Sequence, residues 1–289
     1  MNHPSASAVE HYWRLLGDIQ PDAFLFENVV AFESMGGGNS FLSLIEAMKE
    51  LGFSPSIAKL EAEDFHVPQH RRRLFIGGVR GISDFDLSNG QFVEAQKKSS
   101  SENGTDSPSV MDAISDLPRL PHGGGGRDVV DYPEPNGKPL GPYQTDARIG
   151  SPKLFNHWSS MHGEDVMQTL RYIRCGRSLV QSWDLLPEST MARYTNKASI
   201  HGNIYRRLSW KGLSPTIVHP RRAMLIHPKQ NRILSVREAA RLQGFPDRFM
   251  FCGPLNSQYQ QVANAVPPPL ARYIGEYYKS RLLAIHDRH

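Results

Sequence analysis

The chain has 289 residues, 39% hydrophobic and 21% charged, with a formal net charge of +4, which excludes a disordered or low-complexity chain and allows a sizeable core in one or two domains. Two cysteines, Cys175 and Cys252, exclude a disulfide scaffold or a cysteine-rich zinc cluster and fit a reducing compartment. No apolar run is long enough to span a membrane and no secretory leader pattern is read at the start, while arginine clusters at 71–73, 206–207 and 221–222 lean towards nucleic acid.

The N-terminal third reads as α/β. Residues 10–19 predict a short helix with Tyr12, Leu15, Leu16 and Ile19 on one side. Residues 22–26, DAFLF, predict a strand that runs into Glu27, Asn28 and Val29. Open α/β sheets place their chemistry at the carboxyl ends of strands, although a glutamate there can equally face water. The strand is apolar enough to read as central and parallel, covered on both faces. The loop Met35-Gly36-Gly37-Gly38 lacks the spacing of a nucleotide cradle. Residues 41–51 form a predicted helix through Phe41, Leu44, Ile45, Met48 and Leu51, capped by Asn39 or Ser40 and ended by Gly52. A further strand is expected over 54–60.

The stretch 67–78, VPQHRRRLFIGG, sets three arginines against a buried strand, Leu74 to Ile76. Arginine keeps its proton and presents a rigid fork of donors suited to carbonyl and phosphate oxygens. Burying three is expensive unless an anion or carbonyl waits there; a basic surface loop is the plainer alternative. Residues 97–104 are polar, 110–117 suggest a short helix, 123–126 a glycine hinge, and helical spacing resumes over 163–175. The segment 156–222, rich in His, Arg, Asn and Ser, suits phosphates and base edges, or a small irregular domain with no ligand. Ser214-Pro215-Thr216-Ile217 reads as a turn entering a strand. Ser235 and Glu238 form a capping box that opens a helix over 236–243. Residues 259–267 lead into a helix over 268–283 with Leu270, Tyr273, Ile274 and Tyr277 as its buried stripe; Asn264 reads as a helix-start asparagine and Gln261 as surface.

Taken together, ENV (27–29), VPQHRRR (67–73), SPTI (214–217), ILSVREAARLQGFPDRF (233–249) and YQQVANAVPP (259–268) resemble, in order and spacing, the C-terminal portion of the C5-cytosine DNA methyltransferases. The resemblance implies an α/β fold: a partial Rossmann-like methyltransferase sheet with its N-terminal strands missing, plus a smaller irregular target-recognition domain. It divides the chain into 1–85 (remaining catalytic part), 86–254 (target recognition) and 255–289 (a return to the catalytic domain). It also implies methyl transfer from S-adenosylmethionine to C5 of a cytosine flipped out of double-stranded DNA, as in restriction-modification systems, in a prokaryotic or phage-type cytoplasm near the nucleoid. By the same resemblance Glu27 is the acid at N3, with a carboxyl pKa raised by burial. Arg71 and Arg73 match QxRxR and hold O2 and the acid. Asn264, Ala265 and Val266 close the methyl-donor pocket, and Asn28, Gln69 and Gln261 support the site. Arg206, Arg207, Arg221 and Arg222 are the expected DNA contacts.

Some parts of the pattern are not found. The glycine-rich methyl-donor motif and the Pro-Cys-Gln loop that carries the attacking thiolate are absent, and neither Cys175 nor Cys252 follows a proline. His66 and Ala263 stand where the family has glycine. The expectation is one subunit of a split enzyme, or a truncated form, with a second polypeptide supplying the cysteine and most of the donor site; an inactive sequence-specific DNA-binding remnant is the alternative.

Overall fold

The computed structural model describes residues 4–88, 107–125, 129–133, 139–194, 197, 200, 202, 204–219 and 223–286. The chain forms two compact units: 1–65, 71–105 and 270–289 in the first, 66–70 and 106–269 in the second. The second unit therefore runs on to residue 269 and includes 66–70, whereas the resemblance divided the chain at 1–85, 86–254 and 255–289. The polar stretch 97–104 lies outside the described residues.

Unit 1 is built on a three-stranded sheet of β1 (Ala23–Asn28), β2 (Ser56–Glu61) and β3 (Arg72–Val79) in the order β1-β3-β2. Both pairings are antiparallel, Glu27 lying opposite Phe75 and Leu60 opposite Arg73. This corrects the parallel, central reading of β1. β3 is central, and among the described residues β1 pairs along one edge only. An apolar run covered by helices looks the same in sequence whichever way its neighbour runs.

Strand alternation sorts the side chains. Phe24, Leu74 and Ile76 face helices α1 (Pro4–Ile19) and α2 (Asn39–Glu50), where they join Val9, Leu16, Leu44 and Met48 in one buried cluster. Gly38, not Asn39 or Ser40, caps α2, and no side chain closes its first turn. The other face of the sheet carries Glu27, Arg73, Phe75 and Gly77. Helix α9 (Pro268–His286) covers its far end: the Tyr278 hydroxyl would meet a Cβ on Gly77 at 2.0 Å, so only glycine lets the helix seat. Leu270, Tyr273, Ile274 and Tyr277 are buried, as the spacing predicted.

Unit 2 is mostly helices and short bridges: α3 (Val110–Ile114), β4 (Val129–Val130), α4 (Pro142–Arg148), β5 (Leu154–Phe155), α5 (Glu164–Tyr172), α6 (Glu188–Met191), β6 (Arg206–Arg207), β7 (Leu225–Ile226), α7 (Val236–Leu242) and α8 (Leu255–Asn264). The predicted capping box is present, with Ser235 Oγ accepting from Glu238 N–H and the Glu238 carboxylate accepting from Ser235 N–H. The SPTI segment contributes a single parallel bridge, Ser214 to Gln69, where a strand was expected. The core gathers Val110, Leu154, Ile217, Leu234, Val236, Leu242, Phe245 and Val262.

The interior of unit 2 is also ionic. Arg232 and Glu238, each 1% exposed, pair through two bonds of 2.7 Å. Arg241, fully buried, grips both oxygens of Asp247 at 2.6 Å and also reaches Asp116. Fork-on-carboxylate geometry is the strong form of this contact. Arg237 donates to the carbonyls of Phe155, Pro246 and Phe249 and so holds the FPDRF turn.

Candidate functional site

Alternation along β3 places Arg73 on one face and Arg72 on the other, and Arg71, just ahead of the strand, lies close enough to feel the charges of Arg73 and Glu27. Arg72 goes to Glu61, its cross-strand partner, at 3.3 Å on the exposed side. Arg73 Nε lies 3.1 Å from Glu27 Oε1, the pair being 14% and 25% exposed, while Arg73 Nη1 donates to the Arg72 carbonyl at 2.8 Å. Arg71 is 2% exposed. The QxRxR spacing thus delivers two cations to one carboxylate.

Burial raises the Glu27 carboxyl above its usual range, and the pull of Arg73 and Arg71 does not fully offset it. Burial, joined by repulsion from Arg73, brings Arg71 down to about 10 despite Glu27. Arg73 is lowered in the same way, with Glu27 opposing. The upward shift favours the protonated form, and a protonated carboxyl beside a guanidinium fork can donate to a ring nitrogen while the fork holds a neighbouring carbonyl oxygen.

At the end of β1, Asn28 Oδ1 accepts from Val29 N–H at 2.8 Å and shapes the exit turn. Gln69 belongs to unit 2 and is fully buried; it donates to the Leu242 carbonyl and Gln243 Oε1 and accepts from Ile217 N–H. Gln243, which sequence reasoning passed over, continues this chain by donating to the Val262 and Ala265 carbonyls. One buried relay therefore ties the 66–70 segment to the end of α8. A glutamine flanked by an apolar run and Gly-Phe-Pro was the available signal.

Asn264 is exposed and is the last residue of α8, so it leaves a helix where sequence spacing suggested it opened one. Gln260 donates to its Oδ1 at 2.5 Å. Gln261 is exposed, as expected, and donates to the Cys252 carbonyl. Ala263 sits inside the helix, where no glycine is required. His66 does adopt the backbone that favours glycine, with φ at 58°.

The arginine doublet at 206–207 separates. Arg206 is half-buried, whereas Arg207 is 6% exposed and donates to five oxygens of its own unit: the Ile173, His227, Gln230 and Leu170 carbonyls and Asn231 Oδ1. Arg207 is therefore a structural clamp, which corrects its reading as a DNA contact; strand alternation turns one of the two side chains inward. Arg221 and Arg222 lie outside the described residues. Cys175 and Cys252 are both exposed, both in unit 2, and so is the whole 264–266 segment. Among the described residues, no group of His, Cys, Asp and Glu could hold a metal, and no helix is long and apolar enough to cross a membrane.

Comparison with known proteins identifies the family. The type II methyltransferase M.DdeI of Desulfomicrobium norvegicum is 30% identical over 98% of this chain and 70% of its own length. DNA (cytosine-5)-methyltransferase 1B of rice is 31% identical over 90% of the chain, which spans 19% of that protein. An Escherichia coli crystal structure assigned as a prophage-encoded DNA modification methyltransferase superposes with a TM-score of 0.68 at 23% identity, covering 94% of this chain and 73% of its own, a likeness of fold. The family model for the C-5 cytosine-specific DNA methylases matches residues 1–280, and the chain belongs to that family.

Proposed function

We propose that this chain carries the acid-and-arginine wall of a DNA (cytosine-5-)-methyltransferase pocket, and that it works on a cytosine flipped from double-stranded DNA in the compartment that holds that DNA. The observation that carries the reading is the Glu27–Arg73 pair at 3.1 Å with a carboxyl raised by burial. When a thiolate adds at C6, electron density moves onto N3 and O2. Glu27 donates its proton to N3, and Arg73 holds O2 and keeps the carboxyl aimed. Arg71, buried just ahead of the strand, adds positive potential where that charge develops.

The donor, S-adenosylmethionine, supplies an electrophilic methyl group when bound. Asn264, Ala265 and Val266 offer one exposed amide and two small apolar side chains. They suit one edge of such a molecule and contain no group for its carboxylate or its ammonium. The rest of that site and the thiolate come, on this reading, from a segment outside these 289 residues, carried on a second polypeptide or on the same one. Both cysteines of the chain are on unit 2, and neither follows a proline. β1 keeps one edge unpaired among the described residues, with Leu25 and Val29 exposed beside it, and such an edge accepts a further strand.

The test is methyl transfer to DNA by the purified chain, alone and with a partner that bears a Pro-Cys-Gln segment. Activity only with the partner, abolished by Glu27→Gln, is expected. Full activity from the lone chain removes the reading that the thiolate comes from outside it, and sequence-specific binding with no transfer in either arm marks a DNA-binding module.

A further inference from the structure

Unit 2 holds a concavity of about 410 Å³ whose lining includes Arg119, His122, Lys229, Gln230, Asn231 and Arg232. Its side-chain hydrogen-bond acceptors are already used. Gln230 Oε1 accepts from Leu120 N–H and Arg232 Nε, and Asn231 Oδ1 accepts from the buried Arg207. Arg232 is spent on Glu238 and the Ile233 carbonyl. His122 Nε2 accepts from His162 N–H at 2.7 Å, so a neutral ring carries its proton on Nδ1. The side-chain groups left to serve a ligand are donors: the exposed Arg119 guanidinium, the Lys229 ammonium and the Asn231 amide N–H. No carboxylate is among the lining residues.

The Lys229 ammonium is not free to wander, because it lies 4.8 Å from the centroid of the Trp210 ring, where the ring quadrupole attracts it. Such a cationic hollow, rich in side-chain donors and without a carboxylate, disfavours cations and selects anionic oxygen. Its volume, equivalent to about a dozen waters, exceeds what one inorganic phosphate fills and matches a phosphate with sugar attached.

We propose that this concavity seats one phosphodiester of the DNA backbone, held by Arg119 and Lys229 with Asn231, and that it adds affinity and orientation without reading sequence. The inference rests on the reading that the chain acts on DNA. Neutralising one phosphate releases about 0.9 counterion, which appears as slope in log affinity against log salt.

The experiment measures duplex binding by the full chain across a salt series, for the native protein, Arg119→Ala/Lys229→Ala and Arg119→Lys/Lys229→Arg, each checked for an unchanged melting temperature. The alanine pair is expected to flatten the slope by about 1 with an unchanged ratio of cognate to non-cognate affinity, and the charge-preserving pair to keep it. Native binding with an unaltered slope in the alanine pair overturns the proposal alone. Failure of the native chain to bind any duplex overturns it together with the DNA reading. Calorimetric saturation by micromolar inorganic phosphate would identify a free-anion site and also overturn it.

Discussion

Two regions of this molecule set arginine against carboxylate, and they do opposite things with it. In unit 2, Glu238 receives both nitrogens of the Arg232 fork and the Ser235 N–H. Its carboxyl is pushed well below the usual range although it is fully buried, because Arg232 and those donors outweigh the burial. In unit 1, Glu27 receives one nitrogen at 3.1 Å and stays partly open to solvent, and burial wins, raising its carboxyl. A saturated carboxylate is held as a structural anion, whereas an under-satisfied one shifts towards its protonated form. The same residue types thus build a scaffold or a reactive group according to how many donors converge on them.

Removing Arg241 tests the scaffold side most severely. Its loss leaves the fully buried Asp247 with the Tyr132 hydroxyl and, at 3.8 Å, Arg237, and Asp116 loses a partner. Arg241→Ala is expected to destabilise unit 2 by about 3–5 kcal/mol, the usual cost of orphaning a buried charge. The matching Arg73→Ala, at a partly exposed pair, should cost about 1 kcal/mol or less. Urea midpoints measure both, and comparable losses would erase the distinction.

Glu27→Gln reads the reactive side. On the function proposed above, it should lower the methyl-transfer rate of the active enzyme by about 10²–10⁴, the range for a positioned acid, while the urea midpoint scarcely moves. Glu238→Gln should show the reverse, with stability lost first. A Glu27→Gln enzyme that keeps its rate would show that the carboxyl does not supply the proton.

The two regions should also answer pH with opposite sign. His227, 6% exposed outside its backbone, is lowered to about 4, chiefly by burial; it stays neutral in the folded protein while the unfolded chain protonates near 6.5. The unfolded state therefore binds more protons between those values, and stability falls as pH drops from about 6.5 to about 4, by up to about 3 kcal/mol. His157 is shifted in the same direction by burial. Glu238, lowered, adds stability above the unfolded carboxylate pKa and loses it as pH falls further. Glu27, raised, contributes the other way: its stabilisation is complete below the unfolded pKa and disappears as pH rises through the folded one. Stability against pH for the native chain and for His227→Gln measures the unit 2 slope, which should shrink in the variant; an identical slope would assign the loss to other groups.

The contrast explains what could be read in the sequence. Family resemblance alone grouped Glu27 with Arg71 and Arg73; the strand geometry that sets Arg73 beside Glu27 is a local rule. The Ser235 and Glu238 box was legible because its spacing is local. Arg232 and Asp247 were not, since each meets its partner across a turn of six residues that no helical or strand period describes. The buried clamp Arg207 was misjudged because a doublet of arginines looks solvated until one learns that it enters a strand. The direction of β1 was out of reach, as pairing depends on β3, which arrives almost fifty residues later in the chain.

The smallest effect probes the join of the two regions. His66 opens the 66–70 segment, where the chain passes from unit 1 to unit 2, with φ at 58°. A residue bearing a Cβ pays about 1 kcal/mol or more to hold that conformation. Glycine would relieve the strain but enlarges the unfolded ensemble, costing about 0.4–1 kcal/mol. His66→Gly is therefore expected to be neutral to slightly stabilising, by less than about 1 kcal/mol, with an unchanged denaturant slope. A midpoint that falls clearly would show that the imidazole's own contacts outweigh the backbone strain.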